Sequence, residues 1–410
     1  MDLISPQDCR AIAEKCLGSE NVVVLKYEIA PFEEAAAGFI GASKSLRITA
    51  EKDGNTVKLD FFTKTLPENE YHRKNVLETK VFFKEAEIFK SVLPLLEKYF
   101  AYKIAPKCYH SDVDKLLVFE NLTALGYRNC DAWKGLDVDH CKAALSRLAS
   151  FHASSFLYEK SVGSTMDVMF PHIMVDEINY FKNEKGHFGY EHCQTGVRAL
   201  GVVLDRYFPD LENEVKTNVK NLLASNPSLL SPSKTFRNAL AHADLWTNNI
   251  MFQYDSSKAI TDCIIVDYQL VGYCPPSVDV YSMIFIVSDK AFRKQHAKEL
   301  VDFYYENFCN CVKQHGGSPD EFVTRKHFDK SVSEALPVAL TNAAIFQHHT
   351  MLPENERDKI FGDISLTKQY MERDRSSVIL RALEENATYR KRVLDTLSDC
   401  VDYFTGTLVY

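Results

Sequence analysis

The period of apolar and polar positions changes along this chain. Residues 22–29 are apolar and β-branched, bounded by Asn21 and Pro31, and 46–51 and 56–66 follow as further strand-like runs. Lys52-Asp53-Gly54-Asn55 between the last two is a hairpin signal, so three consecutive antiparallel strands are expected. A small-residue loop, Gly38-Phe39-Ile40-Gly41-Ala42-Ser43, separates the first two. Over 74–89, Val81, Glu85, Ile88 and Phe89 recur near one face at helical spacing and predict a single helix. Leu116-Leu117-Val118-Phe119 then reads as a short buried strand.

After Glu120 helical periodicity takes over, at 140–155, 196–208 and in several segments from 290 to 403. The stretch 231–277 interrupts it. There Asn248-Asn249-Ile250-Met251-Phe252 and Cys263-Ile264-Ile265-Val266 read as two strands joined at Asp255-Ser256-Ser257. No internal repeat is visible. The pattern describes a small strand-rich lobe, a short joining strand and a larger helical lobe carrying one hairpin.

Composition narrows the function classes without choosing among them. Of 410 residues, 46% are hydrophobic and 25% charged, and 16 Gly with 14 Pro exclude collagen-like and low-complexity chains. A net charge of −8 with no long basic tract lacks the footprint of a nucleic-acid binder or of attachment to an anionic membrane. No apolar run approaches the ~18 residues of a membrane span; residues 281–287 are far too short. The eleven cysteines form no Cys-x-x-Cys pair, and their odd number reads as free thiols in a reducing compartment. Asp2, Pro6 and Asp8 stand where a signal peptide needs basic then apolar residues, so a cytoplasmic location is expected. Oligomeric state is not legible.

The embedded hairpin carries the chemistry: His242-Ala243-Asp244-Leu245-Trp246-Thr247-Asn248-Asn249, then Val266-Asp267-Tyr268-Gln269. Phosphoryl transfer to an alcohol needs a carboxylate to accept the hydroxyl proton and oxygen ligands to hold Mg²⁺ against the phosphates. Asp244, with Asn249 five positions later on a tight loop and Asp267 after the next strand, supplies those groups. Asp244 is the candidate base; Asn249 and Asp267 are the candidate metal ligands.

These blocks resemble the His-Gly-Asp-Leu-Trp-x-Asn-Asn-Ile-Met-Phe and Ile-Asp-Phe-Gln blocks of the ecdysteroid kinase-like family, within the choline kinase and aminoglycoside phosphotransferase group. Phe62-Thr63-Lys64-Thr65-Leu66-Pro67 is similar to that family's strand with the phosphate-binding lysine, and Phe82-Phe83-Lys84-Glu85 to the helix with its glutamate partner. Leu117-Val118-Phe119-Glu120-Asn121-Leu122 resembles the hinge, which implies that Glu120 and Leu122 meet the adenine through their backbone. Leu148-Ala149-Ser150-Phe151-His152-Ala153 resembles the helix supporting the catalytic loop. The resemblance implies an α+β, two-lobed protein kinase-like fold: N-lobe 1–119, hinge 120–122, C-lobe 123–410. It also implies ATP and Mg²⁺ as cofactors, and as substrate a small hydroxylated molecule, an ecdysteroid-like steroid or hydroxylated xenobiotic.

Two departures stand out. Ala243 replaces the family's Gly, which is costly if the position needs a positive φ; the Arg of the protein kinases' His-Arg-Asp shows that a Cβ is tolerated in related loops. Tyr268 replaces Phe and needs a partner for its hydroxyl. Glu87 competes with Glu85 for Lys64, and Ser43 is carried as a phosphate contact although the loop before it lacks the full Gly-x-Gly-x-x-Gly pattern. His242 and Asn248 read as structural, and His152 as a core histidine. Asp279 reads as a helix N-cap, as an anchor of the catalytic loop, or as both. His187, His192, His348 and His349 lack a metal-site arrangement and read as non-functional. Two other functions compete: a choline- or aminoglycoside-type kinase, which needs acidic and aromatic residues in its acceptor cleft, and a pseudokinase acting as a binding protein.

Overall fold

The computed structural model describes residues 3–32, 42–174, 180, 184–225 and 231–408. A five-stranded antiparallel sheet occupies the first part of the chain: β1 Val22–Pro31, β2 Ala42–Lys52, β3 Asn55–Thr65, β4 Cys108–Asp112 and β5 Leu116–Glu120, in the order β1-β2-β3-β5-β4. The β2–β3 turn forms where the sequence placed it, with Asp53 and Gly54 both at positive φ (50° and 77°). Alternation then divides the side chains. Leu46, Ile48, Phe61, Leu116 and Val118 pack under helix α1, Pro6–Leu17. Leu117 and Phe119 face the opposite way and join the main core.

The helix expected over 74–89 is two helices. α2, Glu70–Thr79, ends at Lys80, which is left-handed (φ 53°, ψ 20°), and α3, Val81–Glu87, restarts from the same residue before a π-helical turn at Ile88–Val92. Hydrophobic spacing survives such a break, because the apolar face resumes in phase. α1 and the edge strand β4 were not anticipated. α1 begins at a capping box in which Ser5 and Asp8 satisfy each other's backbone N–H.

The remainder is mainly helical: α4 Val138–Val162, α5 Phe188–Tyr207, α6 Asn213–Ala224, α7 Pro276–Val287, α8 Lys290–Gln314, α9 Arg325–Thr350, α10 Ser376–Glu385 and α11 Ala387–Thr405. Among them lie the short strands β6 Arg128–Asn129, β7 Ala239–Ala241, β8 Ile250–Tyr254, β9 Ile260–Ile265 and β10 Gly272–Cys274. β8 and β9 form the expected hairpin, and β7 pairs with β10. α7 is buried along its whole length, which explains why residues 281–287 are apolar except Ser282, whose hydroxyl accepts from Asn342 Nδ2 at 2.9 Å. Among the described residues no helix is long and apolar enough to cross a membrane. All eleven cysteines are free thiols.

Candidate active site

Strand alternation puts Lys64 on the same sheet face as Phe62, and both line the cleft below the sheet. Its Nζ lies 2.6 Å from Glu85 Oε2 and 2.6 Å from Asp267 Oδ1. Glu85 is 2% exposed, and its other oxygen accepts the Tyr268 backbone N–H at 3.2 Å. Glu87 turns away, toward Lys90, Ser91 and His172. Burial works against the Lys64 charge, but Asp267 and Glu85 outweigh it and hold the ammonium above its ordinary range. Burial pushes the Glu85 carboxyl up; Lys64 pulls it back and Asp267 adds to the rise.

The loop after β7 is held by Asp279, in the first turn of α7. Its Oδ2 accepts the His242 N–H at 2.5 Å, its Oδ1 the Ala243 N–H at 2.8 Å, and His152 Nε2 lies 3.2 Å from Oδ2. Pro275 is the N-cap residue of that helix, so Asp279 is an anchor and not a cap. His242 closes the turn from inside, Nδ1 accepting the Asp244 N–H at 3.3 Å and Nε2 reaching Val266 O at 3.1 Å. Ala243 has φ +61°, the left-handed conformation that favours glycine. The Tyr268 hydroxyl donates to Ile104 O at 3.1 Å, so the extra oxygen is satisfied.

Asn249 Nδ2 donates to Asp244 O at 2.8 Å and to Asp244 Oδ2 at 3.0 Å, which brings the candidate base and a candidate ligand together. Asp267, also left-handed (φ 69°, ψ 68°), receives Gln269 Nε2 at 3.1 Å on the oxygen not facing Lys64. Burial and the Asp267 carboxylate push the Asp244 carboxyl well above the usual range, against Asn249 and Lys64.

Three carboxylates thus share one ammonium. That excess of buried negative charge, on oxygen-only donors, fits a hard divalent cation. Among the described residues no three His, Cys, Asp or Glu cluster as a complete metal site, so Asp267 and Asn249 would hold the cation jointly with oxygens from outside the protein.

Ser43 pairs across the β2–β3 ladder with Lys64 and lines the same cleft; Gly38 to Gly41 lie outside the described residues. The Glu120 carboxylate is tied to Lys107 N at 2.7 Å and Lys103 Nζ at 2.5 Å, and its N–H to Lys107 O at 3.0 Å. The Leu122 carbonyl accepts from Tyr127 N, while the Leu122 N–H meets no acceptor among the described residues.

One cavity of about 300 Å³ is lined by Glu120 and Leu122, by Lys64 and Asp244, and by side chains of α2, α5 and α9; the part between those helices is its second chamber. α2 supplies one wall of that chamber through Tyr71, Asn75 and Thr79, at i, i+4 and i+8. Phe188, His192 and His349 are among the residues opposite. Sequence reading set His192 and His349 aside, and it did not mark α2. The polar positions repeating every four residues in 70–79 were the signal available. Burial, with Arg375 behind them, lowers both histidines well below their usual range, so they are neutral.

No curated protein sequence matches the chain. Two solved structures are similar over nearly all of it. A microcompartment-associated aminopropanol kinase is 11% identical with a TM-score of 0.42, covering 97% of this chain and 98% of its own. The GDP complex of aminoglycoside 2'-phosphotransferase-IIIa is 12% identical with a TM-score of 0.36, covering 98% and 100%. Both are too distant to bear on the chemistry. The family model carries more: it matches residues 40–317, a span holding Lys64, Glu85, Asp244, Asn249 and Asp267. The chain, with its small antiparallel lobe and larger helical lobe, belongs to the ecdysteroid kinase-like family.

Proposed function

We propose that the protein is an ATP- and Mg²⁺-dependent kinase that phosphorylates a hydroxyl of a small, uncharged, largely apolar molecule. The observation that carries this reading is the convergence of Lys64, Glu85 and Asp267 on one side of the cleft with Asp244 and Asn249 on the other. Residues 120–122 join the two lobes as a hinge, where the Leu122 N–H and the Glu120 carbonyl hold the adenine edge. Lys64, oriented by Glu85, neutralises phosphate oxygens, and Ser43 faces the same phosphates. Bound Mg²⁺ supplies charge neutralisation of the phosphates. Asn249 orients Asp244, whose carboxylate accepts the proton of the acceptor hydroxyl as the oxygen attacks the γ-phosphorus.

Acceptor class follows from the second chamber. Among the described residues its wall on α2, α5 and α9 contains no Asp or Glu, and the guanidinium of Arg375, which bonds His192 O, is fully buried. Arg375 bonds to Tyr370 O, His192 O, Thr195 Oγ1 and His348 Nε2, with no carboxylate partner among the described residues. A choline- or aminoglycoside-type acceptor is recognised by negative charge, which this wall of three helices does not supply. The pseudokinase reading keeps the strained φ of Ala243 on its side; against it stand Lys64, Asp244, Asn249 and Asp267 gathered in one cleft.

The test is ATP turnover with a panel of neutral hydroxylated acceptors and with choline, comparing wild type with Asp244→Asn. Phosphorylation of neutral acceptors by wild type alone is expected. Preference for choline would refute the acceptor class, and Mg-ATP binding with no transfer to any acceptor would establish a binding protein.

A further inference from the structure

One side chain in the cavity wall has no internal explanation. Asn75, in the middle of α2, is only 8% exposed and lines the second chamber, yet its Nδ2 reaches no hydrogen-bond acceptor among the described residues. Burial and Glu372 raise the Tyr71 phenol one turn earlier and the amide pulls it back down, so a weak interaction links the two; it falls short of hydrogen-bond geometry, and the Tyr71 hydroxyl itself donates to Glu372 Oε1 at 2.5 Å. A buried amide left unpaired is costly, and interiors rarely retain one without a use. Nor is the helix loosely placed. The Phe188 N–H donates to Glu78 Oε1 at 2.8 Å, so α2 is tied over the chamber from both of its ends. The wall that holds Asn75 mixes polar Tyr71, Thr79, His192 and His349 with apolar Val76, Phe188, Ile345 and Phe361.

We propose that Asn75 is a specificity-determining residue of the acceptor site, its Nδ2 donating to a second oxygen of the acceptor, remote from the hydroxyl that is phosphorylated. This rests on the kinase reading above and sharpens it. The acceptor is then an apolar body with at least two oxygen functions, one presented to Asp244 and one, a carbonyl or hydroxyl, to α2. A buried donor whose partner must come from the ligand discriminates strongly, because an analogue lacking the oxygen leaves the amide unpaired.

The test uses the full chain with Mg-ATP and a matched pair of steroids, androsterone (3-hydroxy, 17-keto) and 5α-androstan-3α-ol, which lacks the ketone. Binding is read from Trp246 fluorescence in a Trp133→Phe background, since Trp246 lines the cavity and the chain has 2 tryptophans. Wild type should bind the ketone at least about tenfold more tightly, and Asn75→Leu should bring the pair within about twofold. Asn75→Leu should also melt at a higher temperature, because it removes an unpaired amide. A lower melting temperature would mark Asn75 as a structural residue and overturn the proposal. So would an unchanged ratio in Asn75→Leu, or a wild type that binds neither steroid. Phosphoryl transfer by wild type, absent in Asp244→Asn, judges the kinase reading separately. If transfer fails while the binding ratio collapses in Asn75→Leu, only the kinase reading falls.

Discussion

Ala243 stands at a position its backbone makes unfavourable, and its replacement by glycine tests the loop geometry directly. Its φ is +61°, and its N–H is fixed on Asp279 Oδ1 at 2.8 Å, so relaxing the torsion would break that bond. The left-handed region costs an L-residue about 1–2 kcal/mol. Against this, glycine makes the unfolded chain more flexible, at a cost of about 0.4–1 kcal/mol. Ala243→Gly should therefore stabilise the fold by about 0.5–1 kcal/mol.

Unfolding entropy is about 2.1 cal/mol/K per residue, or ~0.6 kcal/mol/K for a lobe of roughly 290 residues, so the midpoint rises by only about 1–2 °C. Differential scanning calorimetry resolves that shift. Ala243→Val is the counter-variant: a β-branched side chain at positive φ adds strain, and its midpoint should fall. A glycine variant that melts at or below the wild-type temperature, with valine tolerated, would show that the turn before Asp244 is not left-handed. The account of Asp279 as an anchor for two consecutive N–H groups would fall with it.

Asp244→Ala should lower kcat by about 10²–10⁴ while nucleotide affinity stays near wild type; isothermal titration separates it from Asp267→Ala, which should lose Mg-dependent nucleotide binding. Chelating Mg²⁺ should cut ATP affinity far more than raising the salt does, because Lys64 is already engaged by two carboxylates; the reverse order would refute the metal assignment. Glu85→Gln should cost less than the about 3–5 kcal/mol of a buried pair losing its partner, because Asp267 still holds Lys64 at 2.6 Å; a loss of that full size in urea denaturation would refute the shared-ammonium account. Burial pushes the Lys84 ammonium, which donates to Val271 O at 2.8 Å, down to about 8 from 10.5. Between those values the unfolded chain binds more protons, so wild-type stability should rise with pH by about 3 kcal/mol in all. Lys84→Met should lack that slope, and parallel melting curves at about pH 7 and 9.5 would refute the burial argument.

What the sequence made legible was whatever depends on short range. Asp244 and Asn249 are five positions apart on one turn, and Asp267 follows one strand later, so spacing alone grouped them. Lys64 and Glu85 came from the resemblance, and the three-dimensional contact at 2.6 Å agrees with that pairing. Ser5-Pro6-Gln7-Asp8 was a readable capping signal that was overlooked, whereas β4 gave little to read because Cys108-Tyr-His-Ser-Asp has no buried residue. The acceptor wall was illegible for a different reason. Asn75, His192 and His349 lie on three helices separated by more than a hundred residues each, and only tertiary packing brings them to one chamber.

The break at Lys80 gives that wall its meaning. Read as one helix, residues 74–89 would have carried both Glu85 and Asn75 as a rigid unit. Instead the left-handed Lys80 divides the labour: α3 holds Glu85 on Lys64, while α2 lies over the second chamber. The attachments of the two helices differ accordingly. Glu85 is bonded to β3 and to Tyr268, within the cluster that faces the nucleotide side. Tyr71 and Glu78 are bonded to Glu372 and Phe188, in the larger lobe. Although α2 follows directly from the sheet in the chain, its side-chain bonds go to the helical lobe around the second chamber. A joint at a single residue therefore lets the Glu85–Lys64 contact and the α2 wall of the second chamber be set independently, which a continuous helix would forbid. The αL residue costs the chain a little stability at Lys80, as at Ala243. In both places the turn puts a polar side chain, Glu85 in one and Asp244 in the other, where the cleft needs it.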